Sequence, residues 1–184
     1  MKIFLDTEFT GLHQNSTLIS LALVAENGEE FYAEFNDYDH FQINVWLEEN
    51  VISKLFFAGQ DKVEKKSGQC TFIKGNSIEI VSYLRQWLAG FDYIEIWADV
   101  LAYDWVLFCE LFGGALTIPE NIFFAPFDLA TFFRQNGYIK YSGGRLQDFN
   151  RYKLVGKNPK LLQHNALEDA RVELLCYNLI TNLK

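Results

Sequence analysis

Two carboxylates one residue apart interrupt an apolar run near the start of the chain, Ile3-Phe4-Leu5-Asp6-Thr7-Glu8-Phe9. Read as a strand, with a side-chain period of two, this run puts Asp6 and Glu8 on one face, about 7 Å apart along the backbone. Anions so placed repel, so unless a cation lies between them the pair destabilises the fold and one member is expected to keep its proton. Taken alone, the stretch fits solvated acids at a strand end equally well. Further along, Asp104 follows a second short apolar strand, and His164 and Asp169 stand at the start of a last helix. Five residues along an ideal helix turn through about 500°, so His164 and Asp169 share no face. They converge only if His164 sits on the loop leading into the helix and folds back while Asp169 lies within it.

Three segments carry these residues: Leu5-Asp6-Thr7-Glu8-Phe9, Trp97-Ala98-Asp99-Val100-Leu101-Ala102-Tyr103-Asp104 and His164-Asn165-Ala166-Leu167-Glu168-Asp169-Ala170. Together they resemble the signature of the DEDD superfamily of 3'-to-5' exonucleases, in its DEDDh branch, where a histidine stands five residues before the last aspartate. The likeness runs from the first strand to the last helix. In the Trp-Leu-Glu-Glu-Asn-Val run at 46–51, the Trp-Ala at 97–98 and the His-Asn-Ala-Leu-x-Asp-Ala-Arg run at 164–171, the chain is similar to the small RNase AS-type exoribonucleases.

The resemblance implies a ribonuclease H-like α/β fold, a mixed five-stranded sheet with helices on both faces, formed by one domain over residues 1–184. It implies Asp6, Glu8, Asp104, His164 and Asp169 as catalytic residues, RNA 3' ends as substrate, nucleoside 5'-monophosphate as product, a preference for adenylates and a homodimer. It also implies that Glu8 holds the 3'-hydroxyl, which makes a free 3' end a requirement. Asp99 is the rival to Asp104. The family pattern puts an aromatic directly before the metal-binding aspartate, which Tyr103-Asp104 fits and Asp99 does not. DEDDh members usually carry a His-Asn pair at the position of Asp99-Val100, so the chain departs from the common pattern there, and Asp99 is available to orient another group. A DNA exonuclease, or a relative that binds nucleic-acid ends without cutting them, fits the same acids.

Charge supports metal chemistry at these positions. The carboxylates of Asp6, Glu8, Asp104 and Asp169 balance two divalent ions, Mg²⁺ or Mn²⁺, about 4 Å apart, which would acidify a bound water and stabilise charge on the scissile phosphate and departing 3' oxygen. His164, with a reference pKa near 6.5, suits the proton-accepting role at neutral pH. Phe9 and the Thr10-Gly11-Leu12 turn, which directly follow Glu8, are placed to meet the terminal nucleotide by stacking and backbone contact. Asp128 is a further possible ligand, although an acid at a helix start more often caps it. Arg145, Arg151 and Lys153 are basic residues that could touch phosphate, and their spacing decides nothing.

A net charge of −8 over 184 residues argues against gripping long duplexes by neutralising many phosphates. An enzyme that holds one or two terminal nucleotides can instead take its positive charge from bound metal. At 49% hydrophobic the chain is able to bury one sizeable core. It carries neither a long apolar run nor a signal-peptide core, which points to a soluble, cytoplasmic protein without membrane contact. Cys70, Cys109 and Cys176 are too few and too scattered for a zinc site or disulfide framework and read as reduced, buried small hydrophobes.

These elements position the acids. Strands at 3–9, 17–25 and 31–35 form a meander with an Asn27-Gly28 hairpin turn. A short amphipathic helix lies within 41–57, with Trp46, Leu47, Val51 and Leu55 on its apolar side. Residues 58–75 read as an exposed loop or flap with a short strand at 70–73, its lysines either meeting a phosphate backbone or, the preferred reading, simply solvated. Helices follow at 77–88 and 101–112, around a strand at 93–97. A fifth strand near 122–124, a helix at 128–135 and a short helix at 146–152 precede the last helix, whose stripe is Val172, Leu175, Cys176, Leu179 and Leu183.

Overall fold

In the computed structural model, which describes residues 1–159 and 163–182, strand β2 (Leu18–Ala25) is buried at every position. That is what an apolar strand covered on both faces requires. β2 lies between β1 (Lys2–Phe9) and β3 (Glu30–Phe35), antiparallel to both. The turn from β2 to β3 uses Gly28 at φ 91° and an Asn27 side chain that accepts from the Glu29 N–H.

The five-stranded mixed sheet expected from the sequence is present in the order β3-β2-β1-β6-β7, with β6 (Glu95–Ala98) and β7 (Phe127–Asp128) parallel to β1. Two corrections apply to it. Residues 63–75 are not a flap but a hairpin, β4 (Val63–Ser67) and β5 (Cys70–Gly75), which joins β3 and extends the sheet to seven strands. Nor is Lys74 solvated, since its ammonium lies 3.4 Å from the wholly buried Glu34 carboxylate. The fifth strand forms at 127–128, and Ile122 contributes only an isolated bridge to Ile94.

Helices cover both faces. α2 (Ser77–Leu88), begun by an Asn76/Glu79 capping box, packs with α3 (Ala102–Leu111) on the face of Ile3, Leu5, Leu21 and Leu23. The opposite face takes α4 (Leu129–Gln135) and α6 (Ala166–Asn182). Ala22 of β2 meets Ala166 and Ala170 of α6, so small side chains let the start of that helix come close to the sheet beside Asp6, whose register partner is Ala22. The predicted stripe of α6 holds at Val172 and Cys176. Leu175 and Leu179 are exposed instead, and Ala166, Ala170, Glu173 and Ile180 take the buried face; Leu183 lies outside the described residues.

Two short elements complete the rim of the site. Between β3 and β4, α1 (Val45–Asn50) buries Leu47, but Trp46 is half exposed and so is not a core position. After α4, a separate hairpin of β8 (Lys140–Ser142) and β9 (Arg145–Gln147) leads to α5 (Arg151–Leu154), later and shorter than the helix expected at 146–152. All three cysteines are free and buried, and burial raises their thiols to about 12, 11 and 12 for Cys70, Cys109 and Cys176. No helix among the described residues is long and apolar enough to cross a membrane.

Candidate active site

The end of β1 opens into a cleft of about 630 Å³, and all five predicted catalytic residues line it. The even positions of β1 put Asp6 and Glu8 on the α6 side, where Asp169 arrives in the first turn of that helix. One carboxylate oxygen from each of Asp6, Glu8 and Asp169 lies within 4.8 Å of the others. Thr7, on the opposite face, reaches Asp104 at the start of α3: its N–H and hydroxyl both donate to Asp104 Oδ1, at 2.9 and 2.6 Å. Asp104 is thereby fixed through one oxygen at the edge of the acid group, and its other oxygen receives nothing from Thr7.

Such crowding of buried acids has electrostatic consequences. Asp6 is held well above the carboxylate range, first by burial and then by Asp169, Glu8 and Asp104. Burial, with Asp169 and Asp104 adding to it, pushes Glu8 up to about 8. Asp104 and Asp169 are each pushed up to about 6 by burial, while their hydrogen bonds from Thr7 and from Tyr152 and His164 work the other way. Asp6 Oδ2 is buried with no hydrogen-bond partner. An orphaned, desolvated oxygen beside three more carboxylates suits a divalent cation with oxygen ligands.

His164 stands just before α6, as required for convergence. Its backbone is left-handed at φ 66°, and its N–H donates to Asp169 Oδ2 at 2.8 Å. Its ring meets the edge of Trp46 at 5.1 Å between centroids. Burial lowers the imidazole pKa below 6.5, and the Lys54 ammonium acts in the same direction. Lys54 also bears on Glu8 and Asp169. It is tied to this corner by donation to the Gln163 carbonyl, while its own carbonyl accepts from Asn165 Nδ2.

The predicted substrate-contact residues Phe9, Thr10, Gly11 and Leu12 all line the cleft. Phe9 stacks on Tyr103, 5.6 Å between centroids at 20°. Leu12 is largely exposed. Thr10 differs from expectation: its N–H donates to the Thr17 carbonyl, and its hydroxyl donates to Gln42 Oε1 and accepts from the Thr17 N–H, so both its donors are engaged within the protein. Asp128 caps α4 through Thr131. It does not line the cleft, and neither do Arg145 and Lys153.

Asp99 is not with the acid group but pairs with Arg151. Arg151 Nε lies 2.7 Å from Asp99 Oδ2, and NH2 donates to Oδ1 at 3.2 Å. Asp99 follows β6 in a tight turn that carries Val100 at φ 56°, a conformation costing a non-glycine residue about 1–2 kcal/mol. Its N–H donates to Glu173 Oε1 at 3.1 Å.

Sequence reasoning missed several cleft residues. Glu173 is buried, leaves Oε2 without a partner, and is held well above the carboxylate range by burial and then by Asp99 and Asp104. Its signal was available: it lies four residues after Asp169, on the same helical face. Tyr152, whose hydroxyl donates to Asp169 Oδ1 at 2.6 Å, gave none. Trp46, expected on the apolar side of its helix, lines the cleft instead.

Comparison with known proteins follows the same line. The sequence model of the Rv2179c-like family, described as a 3'-5' exoribonuclease Rv2179c-like domain, matches residues 1–181. The 3'-5' exoribonuclease Rv2179c of Mycobacterium tuberculosis strain H37Rv is 28% identical over 182 residues, 99% of this chain and 94% of that protein. In fold, the chain is similar to E. coli Exonuclease I in complex with a dT13 oligonucleotide, with TM-score 0.62 and 14% identity over 98% of this chain and 40% of that one. Cell-death related nuclease 4 (CRN-4) superposes with TM-score 0.61 and 13% identity over 99% of this chain and 64% of that one. The chain thus spans about two fifths of Exonuclease I and just under two thirds of nuclease 4, and at these identities the likeness shows a ribonuclease H-like fold.

Proposed function

Because the chain belongs to the Rv2179c-like 3'-5' exoribonuclease domain family, we propose that it hydrolyses RNA stepwise from a free 3' end, releases nucleoside 5'-monophosphates, and does so with two divalent cations, Mg²⁺ or Mn²⁺. The observation that carries this reading is the convergence of Asp6, Glu8 and Asp169 within 4.8 Å, with a buried oxygen of Asp6 left unpartnered. Asp6, Glu8, Asp104 and Asp169 would hold the ions, which when bound supply an activated water and stabilise charge on the phosphate.

The chain's own groups prepare that chemistry. Thr7 fixes Asp104 through one oxygen, and Tyr152 and the His164 N–H fix Asp169. The lowered pKa of His164 keeps its imidazole neutral at physiological pH, so it takes a proton from the attacking water without first losing one. Glu8 receives the terminal 3'-hydroxyl. Phe9, backed by Tyr103, and the exposed Leu12 and Trp46 supply apolar surface for the terminal base. A preference for adenylate, a homodimeric assembly and a cytoplasmic location belong to the same proposal. Light scattering tests the dimer, since a mass near the 21.4 kDa of one chain removes it.

The deciding experiment is a time course with Mg²⁺ on matched 5'-labelled RNA and DNA oligomers ending in each base, including one with a 3'-phosphate. The expected result is a ladder shortening from the 3' end on RNA, fastest on adenylates and blocked by the phosphate. Faster loss of DNA would make the protein a DNA exonuclease. Binding without shortening would make it a non-catalytic binder of ends, and cutting of a circular substrate would overturn the exonuclease reading.

A further inference from the structure

Resting on that reading, we propose that Arg151, oriented by Asp99, binds an internucleotide phosphate of the strand being shortened, next to the one hydrolysed. Among the described residues that line the cleft, Arg151 is the one lysine or arginine, against seven carboxyl groups: Asp6, Glu8, Asp99, Asp104, Asp148, Asp169 and Glu173. A polyanionic strand entering such a cleft needs compensation beyond the ions at the acid group.

Three acceptors hold the guanidinium, and they differ in kind: Asp99, Asp148 and the Phe149 carbonyl, to which NH1 also donates at 2.8 Å. Asp99 is mostly buried, accepts from NH2 and lies 2.7 Å from Nε as an ion pair without a hydrogen bond, and is itself anchored to Glu173 through its N–H. Asp148 engages NH1 at 2.5 Å but is 55% exposed at its side chain. The rings of Phe149 and Phe133, 4.7 and 5.3 Å from the guanidinium carbon, fix its plane. Asp99 and the Phe149 carbonyl therefore aim the group, while Asp148 is a solvent-side carboxylate that a phosphate oxygen can replace. The planar fork of arginine suits bidentate contact with a phosphate. This gives Asp99 a task at the position where the DEDDh pattern has a different pair of residues.

The test measures anisotropy of a short 5'-fluorescein oligoadenylate with the full chain in Ca²⁺, over a range of salt. Thermal melting of each variant without nucleic acid accompanies it. Arg151→Gln is expected to weaken binding roughly 10- to 100-fold, the loss implied by a charge-assisted hydrogen bond. It should also flatten the slope of log K against log salt by about 0.7, the value for one phosphate contact on a single strand. Arg151→Lys keeps the slope and loses part of the affinity. Asp148→Asn, an exposed change that leaves the fold intact, tightens binding by removing the competing carboxylate. An unchanged slope in Arg151→Gln, or weaker binding in Asp148→Asn, overturns the inference even if the wild type shortens RNA. Wild-type protein that binds with this Arg151-dependent slope yet never shortens RNA supports the inference while removing the exonuclease reading.

Discussion

The backbone N–H of His164 donates to Asp169 Oδ2 at 2.8 Å while the His164 ring faces Trp46, so one residue orients a carboxylate with its main chain and offers an imidazole with its side chain. The two tasks are separable by mutation. His164→Ala keeps the N–H and is expected to lower kcat by roughly 10²–10⁴-fold, with Mg²⁺ binding by calorimetry little changed. His164→Gly should be equally slow yet melt higher than His164→Ala, because glycine relieves the left-handed φ of 66° that costs alanine about 1–2 kcal/mol. Loss of metal binding in both variants would make the imidazole a ligand.

The raised carboxyl pKa values predict how the metal-free protein responds to pH. The folded state keeps protons on Glu8, Asp104 and Asp169 that the unfolded chain releases near 4.5 and 3.8. Their contribution is fully present below those unfolded values and is lost as pH rises through about 6 for Asp104 and Asp169 and about 8 for Glu8. In EDTA the melting temperature should therefore fall as pH rises across that window, and Mg²⁺ should restore it. Asp6→Asn removes the charge at the centre of the repulsion, so it should raise the metal-free melting temperature at alkaline pH while abolishing turnover. Glu8→Gln, Asp104→Asn and Asp169→Asn should also abolish turnover, and Asp99→Asn should be milder. A pH-independent melting temperature in EDTA would show that the acids do not repel as described.

Much of this site was legible because its determinants are local. The period of two in Ile3–Phe9 put Asp6 and Glu8 together, and the five-residue step from His164 to Asp169 demanded a residue outside the helix, which the left-handed His164 satisfies. Elements whose identity depends on distant partners were harder to read. Val63–Ser67 is nearly all exposed, so no apolar alternation marks it, and it is a strand because Cys70–Gly75 pairs with β3 on its other side. Trp46 looked like core on helical spacing, but a cleft offers an aromatic the same partial cover. The Arg151–Asp99 pair spans 52 residues, and no pattern in either segment announces it.

Tyr152 lies on a single turn of helix, yet its hydroxyl donates to Asp169 Oδ1 at 2.6 Å and helps hold that carboxyl down against burial. Tyr152→Phe should let the Asp169 pKa rise, moving the acid limb of Mg²⁺-dependent activity to higher pH. Groups that orient metal ligands typically matter by roughly 10–100-fold in affinity or activity. A pH–rate profile at saturating Mg²⁺ checks this, and an unshifted acid limb would mean that the bond has no influence on Asp169.

Glu173 joins α6, which carries Asp169, to the turn between β6 and α3, the helix that carries Asp104. Its Oε1 accepts from the Asp99 N–H, and its Oε2 is buried without a partner. An ionised carboxylate there, among Asp99, Asp104 and Asp169, would be costly, and its raised pKa means that the folded protein keeps it protonated where the unfolded chain does not. The contribution is thus lost as pH rises, with the same sign as for the other acids. Glu173→Gln preserves the acceptor and removes the ionisation, so its metal-free melting temperature should match wild type in acid and exceed it at alkaline pH. Glu173→Ala leaves the Asp99 N–H unpaired at a cost of about 1–3 kcal/mol, and should melt lower than Glu173→Gln at every pH. Activity should follow the same order, because only Glu173→Gln keeps the link between the two ligand-bearing elements. Equal melting and equal activity in the two variants would show that the Asp99 bond contributes nothing, and that Asp104 and Asp169 are held in place by their own bonds to Thr7, Tyr152 and His164.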